Sequence, residues 1–149
     1  MPLNYDWTLM KFLVNNMSPN GNTNQGIGLA HGWMSLVGGG PYPAPPSMDP
    51  SYKYSQVIIL MTDGLNTQNR WYNSPSSIDA HQAMTCPNVM AAGIPLYTVQ
   101  VNTGGDPLQN TLKNCASDPS KFFLLTSASQ MVSTFQQIGT ALSNLRIAM

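Results

Sequence analysis

Five consecutive apolar residues, Val57-Ile58-Ile59-Leu60-Met61, stop abruptly at Thr62-Asp63-Gly64, and this junction constrains the fold more than any other segment. A strand with one wet face alternates apolar and polar side chains. An unbroken run heavy in β-branched residues instead predicts a strand covered on both faces by helices, as in a parallel sheet. Such a strand is too apolar for an exposed edge, so a neighbour is expected beside it. Gly64 lets the chain leave sharply, and Asp63 stands beyond the carboxyl end of the strand, where open parallel sheets bind ligands.

The segments after this strand alternate in kind. Residues 76–85 predict a short helix, and Pro87 starts a further helix that Gly93 closes. A second strand follows over 94–101, with Pro95 tolerated at its start. Asp106-Pro107 opens a helix with Leu108, Leu112 and Cys115 on one face. A third strand spans 122–126, and Ala128, Met131, Val132, Phe135, Ile138, Leu142 and Leu145 stripe a final helix. Strand, helix, strand, helix, strand, helix implies an α/β fold, a doubly wound parallel sheet.

Before residue 57 there are two helices and no strand. In the first, over 6–17, Trp7, Met10, Leu13, Val14 and Met17 form an apolar stripe. The second begins near Thr23 or Asn24 and is expected to be buried on two sides, through Ile27, Ala30, Met34 and Val37 and through Leu29, Trp33 and Leu36. Thr23 either caps this helix or offers its hydroxyl to a site. Gly38-Gly39-Gly40 ends it, and residues 38–56 form a Gly- and Pro-rich insertion loop.

Charge narrows the function. Only 8% of the 149 residues are charged, against about 25% in an average soluble domain. Six Lys and Arg balance six Asp, for no net charge. Six scattered basic residues do not make a nucleic-acid footprint. The longest apolar run is too short for a membrane span, and residues 1–6 lack the features of a secretory signal. Cys86 and Cys115 fit no zinc spacing; they are either one disulfide or two buried thiols, and a bridge would join the helices flanking the strand at 94–101.

Other residues invite a catalytic or binding reading. Ser77, Asp79 and His81 have triad chemistry, but helical spacing puts Ser77 and His81 on one face and Asp79 elsewhere. His31 is expected to be packed within its helix. Arg70-Trp71 either presents a recognition surface or folds Trp71 back over the sheet. The ten Met residues mostly fall in apolar stripes and suit adaptable core filling.

Two strings together carry a resemblance. Gly21-Asn22-Thr23-Asn24 before a helix and Leu60-Met61-Thr62-Asp63-Gly64 ending a strand resemble the metal-ion-dependent adhesion site of von Willebrand factor type A domains. That family holds a divalent ion, usually Mg²⁺, with three loops: an Asp-x-Ser-x-Ser, a Thr and an Asp. Thr23 matches the second loop and Asp63 the third. Mg²⁺ prefers oxygen ligands and retains waters, so a partner's carboxylate completes its shell.

Longer strings resemble the bacterial tight-adherence (Tad) pilus assembly proteins. They are 22–29, 58–72, 97–102, Asn114-Cys115-Ala116-Ser117 and Leu142-Ser143-Asn144-Leu145-Arg146. This implies a cell-envelope, non-enzymatic module that binds a protein partner. The sequence lacks Asp-x-Ser-x-Ser; Asp49-Pro50-Ser51-Tyr52-Lys53 ends in Lys and follows Thr23. Residues 1–149 are therefore expected to be a partial domain without the family's first three strands. Weak or absent Mg²⁺ binding and self-association through the strand edge at 57–62 follow as expectations. The alternatives are a Mg²⁺-dependent enzyme of phosphate chemistry using Asp63, and a truncated, non-functional remnant. The enzyme lacks a glycine-rich phosphate loop and a base near Asp63.

Overall fold

The computed structural model describes residues 6–43 and 45–144. Three strands, β1 (Ile58–Thr62), β2 (Leu96–Val101) and β3 (Phe122–Leu125), form a wholly parallel sheet in the order β1-β2-β3. Helices α1 (Trp7–Asn15) and α2 (Gln25–Val37) precede β1. Helices α3 (Pro75–Ala91) and α4 (Asn110–Cys115) come before and after β2, and α5 (Gln130–Asn144) follows β3. The α/β class expected from the alternation is the one observed.

The central strand is β2, in which all six residues are buried. Its faces carry separate cores. Leu96 joins Ile58, Leu60, Leu29, Val89 and Leu112 under α2, α3 and α4. On the other face Tyr97, Val99 and Val101 meet Leu125 and Ile138 of α5.

Several expectations change. β1 is an edge strand among the described residues: Ile58, Leu60 and Thr62 are buried, while Met61 is 46% exposed. An unbroken apolar run at one edge thus has a single well-covered face, because the helix layer on the Met61 side lies over β2 and β3. Helix α2 is likewise covered unevenly, with Ala30 and Met34 of its second predicted face only half-buried. Leu29, Trp33 and Leu36 meet the core, and Ile27 and Val37 are exposed. Helix α1 is capped by Asp6, whose carboxylate accepts from the amides of Thr8 and Leu9, but buries no residue. Trp7, Val14 and Met17 of its predicted stripe face solvent.

Residues 75–91 are one helix, not two. Pro87 lies inside it and removes a backbone hydrogen bond, a loss that usually breaks helices. Here Ile78, Gln82, Cys86 and Val89 are all buried at helical spacing, so tertiary anchorage on both sides of the proline maintains the element. Gly93, at φ +76°, then turns the chain towards β2. Helix α4 begins at Asn110 rather than Asp106, leaving Leu108 exposed in the preceding loop. In α5, Ile138 is buried, Met131 and Leu142 are half-buried, and Val132 and Phe135 are exposed. Its Gln130 side chain reaches back to accept from the amides of Thr126 and Ser127, closing the turn before the helix. Leu145 and Arg146 lie outside the described residues.

Candidate functional site

Thr23 is tied to the loop that follows β1, the loop that opens with Asp63 at the carboxyl end of the strand. The Thr23 amide donates to Thr67 Oγ1 at 2.8 Å, and the Thr67 amide donates back to the Thr23 carbonyl at 2.9 Å. The amide of Gln25 donates to Asn66 Oδ1 at 2.8 Å. These bonds tie the loop after β1 to the start of α2. Asn24, not Thr23, caps that helix, with Oδ1 accepting from the Ile27 amide at 3.0 Å. Thr23 is half-buried, and Asp63 is exposed.

Around Gly64 of that loop lies a cluster of side-chain amides that sequence reasoning missed. Gln25 Nε2 donates to the Gly64 carbonyl at 3.0 Å and to Gln109 Oε1 at 2.7 Å. Gln109 Nε2 also donates to the Gly64 carbonyl, at 2.6 Å, as does the Thr62 hydroxyl at 2.9 Å. Gln82 donates to Gln25 Oε1 and accepts from Asn66 Nδ2, whose other bond goes to Asp79. Gln100 joins through its Oε1, which accepts from the Gln109 amide at 3.0 Å. Gln25, Asn66, Gln82, Gln100 and Gln109 are all buried. Burying amides is tolerable because each finds partners. A signal existed in α3, where Gln82 sits four residues from both Ile78 and Cys86 on the buried stripe. The result is a turn at Asp63-Gly64 held from three directions without charge.

Oxygens are what this region offers: Asn22 Oδ1 lies 3.5 Å from Thr67 Oγ1, and Asp63 adds an exposed carboxylate at the end of β1. In kind they suit a hard divalent ion; in number they offer one negative charge. Among the described residues no group of three or more His, Cys, Asp or Glu gathers to hold a metal. Asp49 does not contribute. Its carboxylate accepts from the Ser51 amide at 2.8 Å within its own turn, and that hydrogen bond lowers its pKa from the usual carboxylate value.

Cys86 of α3 and Cys115 of α4 form a buried disulfide, with Cα atoms 5.2 Å apart. Gln82 Nε2 lies 3.9 Å from Cys115 Sγ, so the bridge abuts the amide cluster. Trp71 is 74% exposed and does not fold over the sheet. Asn69 Oδ1 accepts from the amides of Trp71 and Tyr72, and the Arg70 guanidinium stands 5.8 Å from the Trp71 ring. His31 is exposed rather than packed, 3.1 Å from the Tyr42 hydroxyl. The triad candidates do not assemble: Asp79 is bonded to Asn66, while the His81 ring lies 5.0 Å from that of Tyr72. Among the described residues no helix is long and apolar enough to cross a membrane.

No protein-family model matches the chain, and no curated protein does. Solved structures of proximal thread matrix protein 1 from the mussel byssus are similar in fold. One superposes with a TM-score of 0.56 and another, described with a zinc-occupied MIDAS motif, with 0.52; both are 20% identical over 88% of this chain. A further crystal form also gives 0.52. The chain spans 28% of the length of the first two neighbours and 27% of that of the third. The fold is thus von Willebrand A-like, with three parallel strands and flanking helices.

Proposed function

We propose that this chain is a non-enzymatic binding module whose partner docks on the rim formed by Thr23 and Asp63. The observation that carries the reading is the paired hydrogen bonding between Thr23 and Thr67, reinforced by the amide cluster under Gly64. The exposed Asp63 carboxylate immediately precedes Gly64, whose carbonyl that cluster holds. A divalent ion there, Mg²⁺ by the oxygen character of the donors, would be held by Asp63 and Thr23, with water and a partner's carboxylate filling the remaining positions. The ion supplies a positive centre for that carboxylate; this chain orients the two ligands and little more. A structural neighbour described with a zinc-occupied MIDAS motif supports a divalent ion in this kind of fold.

The Tad-like strings favour a role in pilus assembly at the cell envelope, and the disulfide fits the oxidising side of a membrane. Arg70 and Trp71 add an exposed aromatic and cationic contact on the loop that leaves the rim. Phosphate chemistry is the weaker reading, since the sequence carries no glycine-rich phosphate loop.

The test uses an envelope fraction from a Tad-pilus-bearing bacterium. Capture of a protein partner is expected to need a millimolar divalent ion and to be lost with EDTA and with Asp63→Ala. Capture indifferent to both would overturn the rim as the docking face. Hydrolysis of p-nitrophenyl phosphate or ATP is expected to be the same for the native chain and Asp63→Ala; an Asp63-dependent rate would support the enzyme instead.

A further inference from the structure

Asn20-Gly21 is the only Asn-Gly step in the sequence, and it lies in the link between α1 and α2. The side-chain carbonyl carbon of an asparagine can be reached by the backbone nitrogen of the next residue. A side chain on that next residue obstructs the approach, and glycine has none. Gly21 adopts φ +98°, and a Cβ built on it would meet nothing within 4 Å. Asn20 is exposed, and among the described residues neither Asn20 nor Gly21 makes a hydrogen bond that would hold the step still.

We infer that Asn20 is a site of spontaneous modification in the folded protein, converting to aspartate and isoaspartate. The Gly21 nitrogen, its proton lost to solvent, attacks Asn20 Cγ. A C–N bond forms to close a succinimide ring, the Cγ–NH2 bond breaks, and the leaving group departs as ammonia with a proton from water. Water then opens the ring. Opening at Cγ leaves aspartate; opening at the main-chain carbonyl leaves isoaspartate, with the chain running through Cγ. The sum is an amide plus water giving a carboxylic acid plus ammonia, with no oxidant or reductant.

The fold separates this step from Asp63-Gly64, which has the same glycine. There the Gly64 amide donates to Thr62 Oγ1 at 3.3 Å, and the Gly64 carbonyl accepts from Gln25, Gln109 and the Thr62 hydroxyl. Cyclisation at Asp63 must first free that turn, which needs local unfolding. Asn20 carries no such restraint. Its product puts a carboxylate on a segment with no acidic residue between Asp6 and Asp49, three positions before Thr23. One amide becoming one carboxylate takes the formal net charge from zero to −1. The modification is independent of the metal reading, since neither Thr23 nor Asp63 takes part in it.

The test incubates the whole chain at mildly alkaline pH, with isoelectric focusing and peptide sequencing by mass spectrometry at intervals. A more acidic species, carrying the mass change from NH2 to OH at Asn20, is expected to accumulate in the native chain and to be lost in Asn20→Gln. Its rate is expected to be the same in the folded chain and in urea, whereas isomerisation of Asp63 is expected in urea alone. Modification of another asparagine ahead of Asn20, an acidic species that persists in Asn20→Gln, or a folded rate well below that in urea would overturn the inference.

Discussion

Reduction of the Cys86–Cys115 bridge is expected to lower stability by about 3.5 kcal/mol and the melting temperature by about 10 °C. The bridge spans a sequence separation of 29 residues, a loop containing the last turns of α3, all of β2 and all of α4. In the chain-entropy account, opening it returns that freedom to the unfolded chain alone. Both sulfurs are buried in the core under α2, so the native contacts remain largely in place when the bond is cut. The effect is large because stability in a domain of this size is a small remainder between opposing terms. Thermal unfolding with and without a phosphine reductant measures it, and a paired Cys86→Ala, Cys115→Ala variant provides a second route. A loss below about 1 kcal/mol in both would mean that the two helices are held by packing alone.

The second large effect belongs to Asn66. Its side chain accepts from the Gln25 amide and donates to Asp79 and Gln82, and it is 2% exposed. Asn66→Ala strands two buried groups at once, the Gln25 amide and the Gln82 carboxamide oxygen, and frees the half-buried Asp79 carboxylate to water. Each unsatisfied buried group costs about 1–3 kcal/mol, and partial relaxation around the alanine leaves an expected loss of about 3 kcal/mol. The same substitution unties the loop after β1 from the start of α2, so amide exchange at Thr67 should quicken with it. Trp71→Ala is the matched control on that loop: an exposed ring with its backbone held independently by Asn69, it is expected to change stability by less than about 0.5 kcal/mol. Urea unfolding of the two variants decides this. Equal effects would show that the amide cluster does not bear on stability.

The order of the elements was legible because apolar periodicity distinguishes strand from helix, and β1, β2 and β3 lie within the segments predicted for them. Their relative burial was less legible. The run at 57–61 is more uniformly apolar than Leu96–Val101, which contains Thr98 and Gln100, yet the latter is central and fully buried. Local composition reports what a strand tolerates; its neighbours in the sheet decide how much of it is covered. The two-helix reading of 76–91 failed similarly, because tertiary anchors at Ile78, Gln82, Cys86 and Val89 outweighed the local preference of Pro87. At the proposed site, Thr23 and Asp63 are suggested by their motif context alone. The amides that hold Gly64 are not, since carboxamides 84 residues apart, such as Gln25 and Gln109, have no local pattern. Only the fold brings them to one carbonyl.

The divalent-ion site proposed at Thr23 and Asp63 is expected to be weak, with a single carboxylate to hold the ion. Mn²⁺ replaces Mg²⁺ at oxygen-rich sites and broadens nearby amide resonances. Titrated into labelled protein at millimolar concentration, it is expected to broaden residues 22–25 and 63–67 first, with no saturation in the micromolar range. Asp63→Ala should abolish that pattern. Broadening centred on Asp49 or Asp118, or a pattern that survives Asp63→Ala, would contradict the claim.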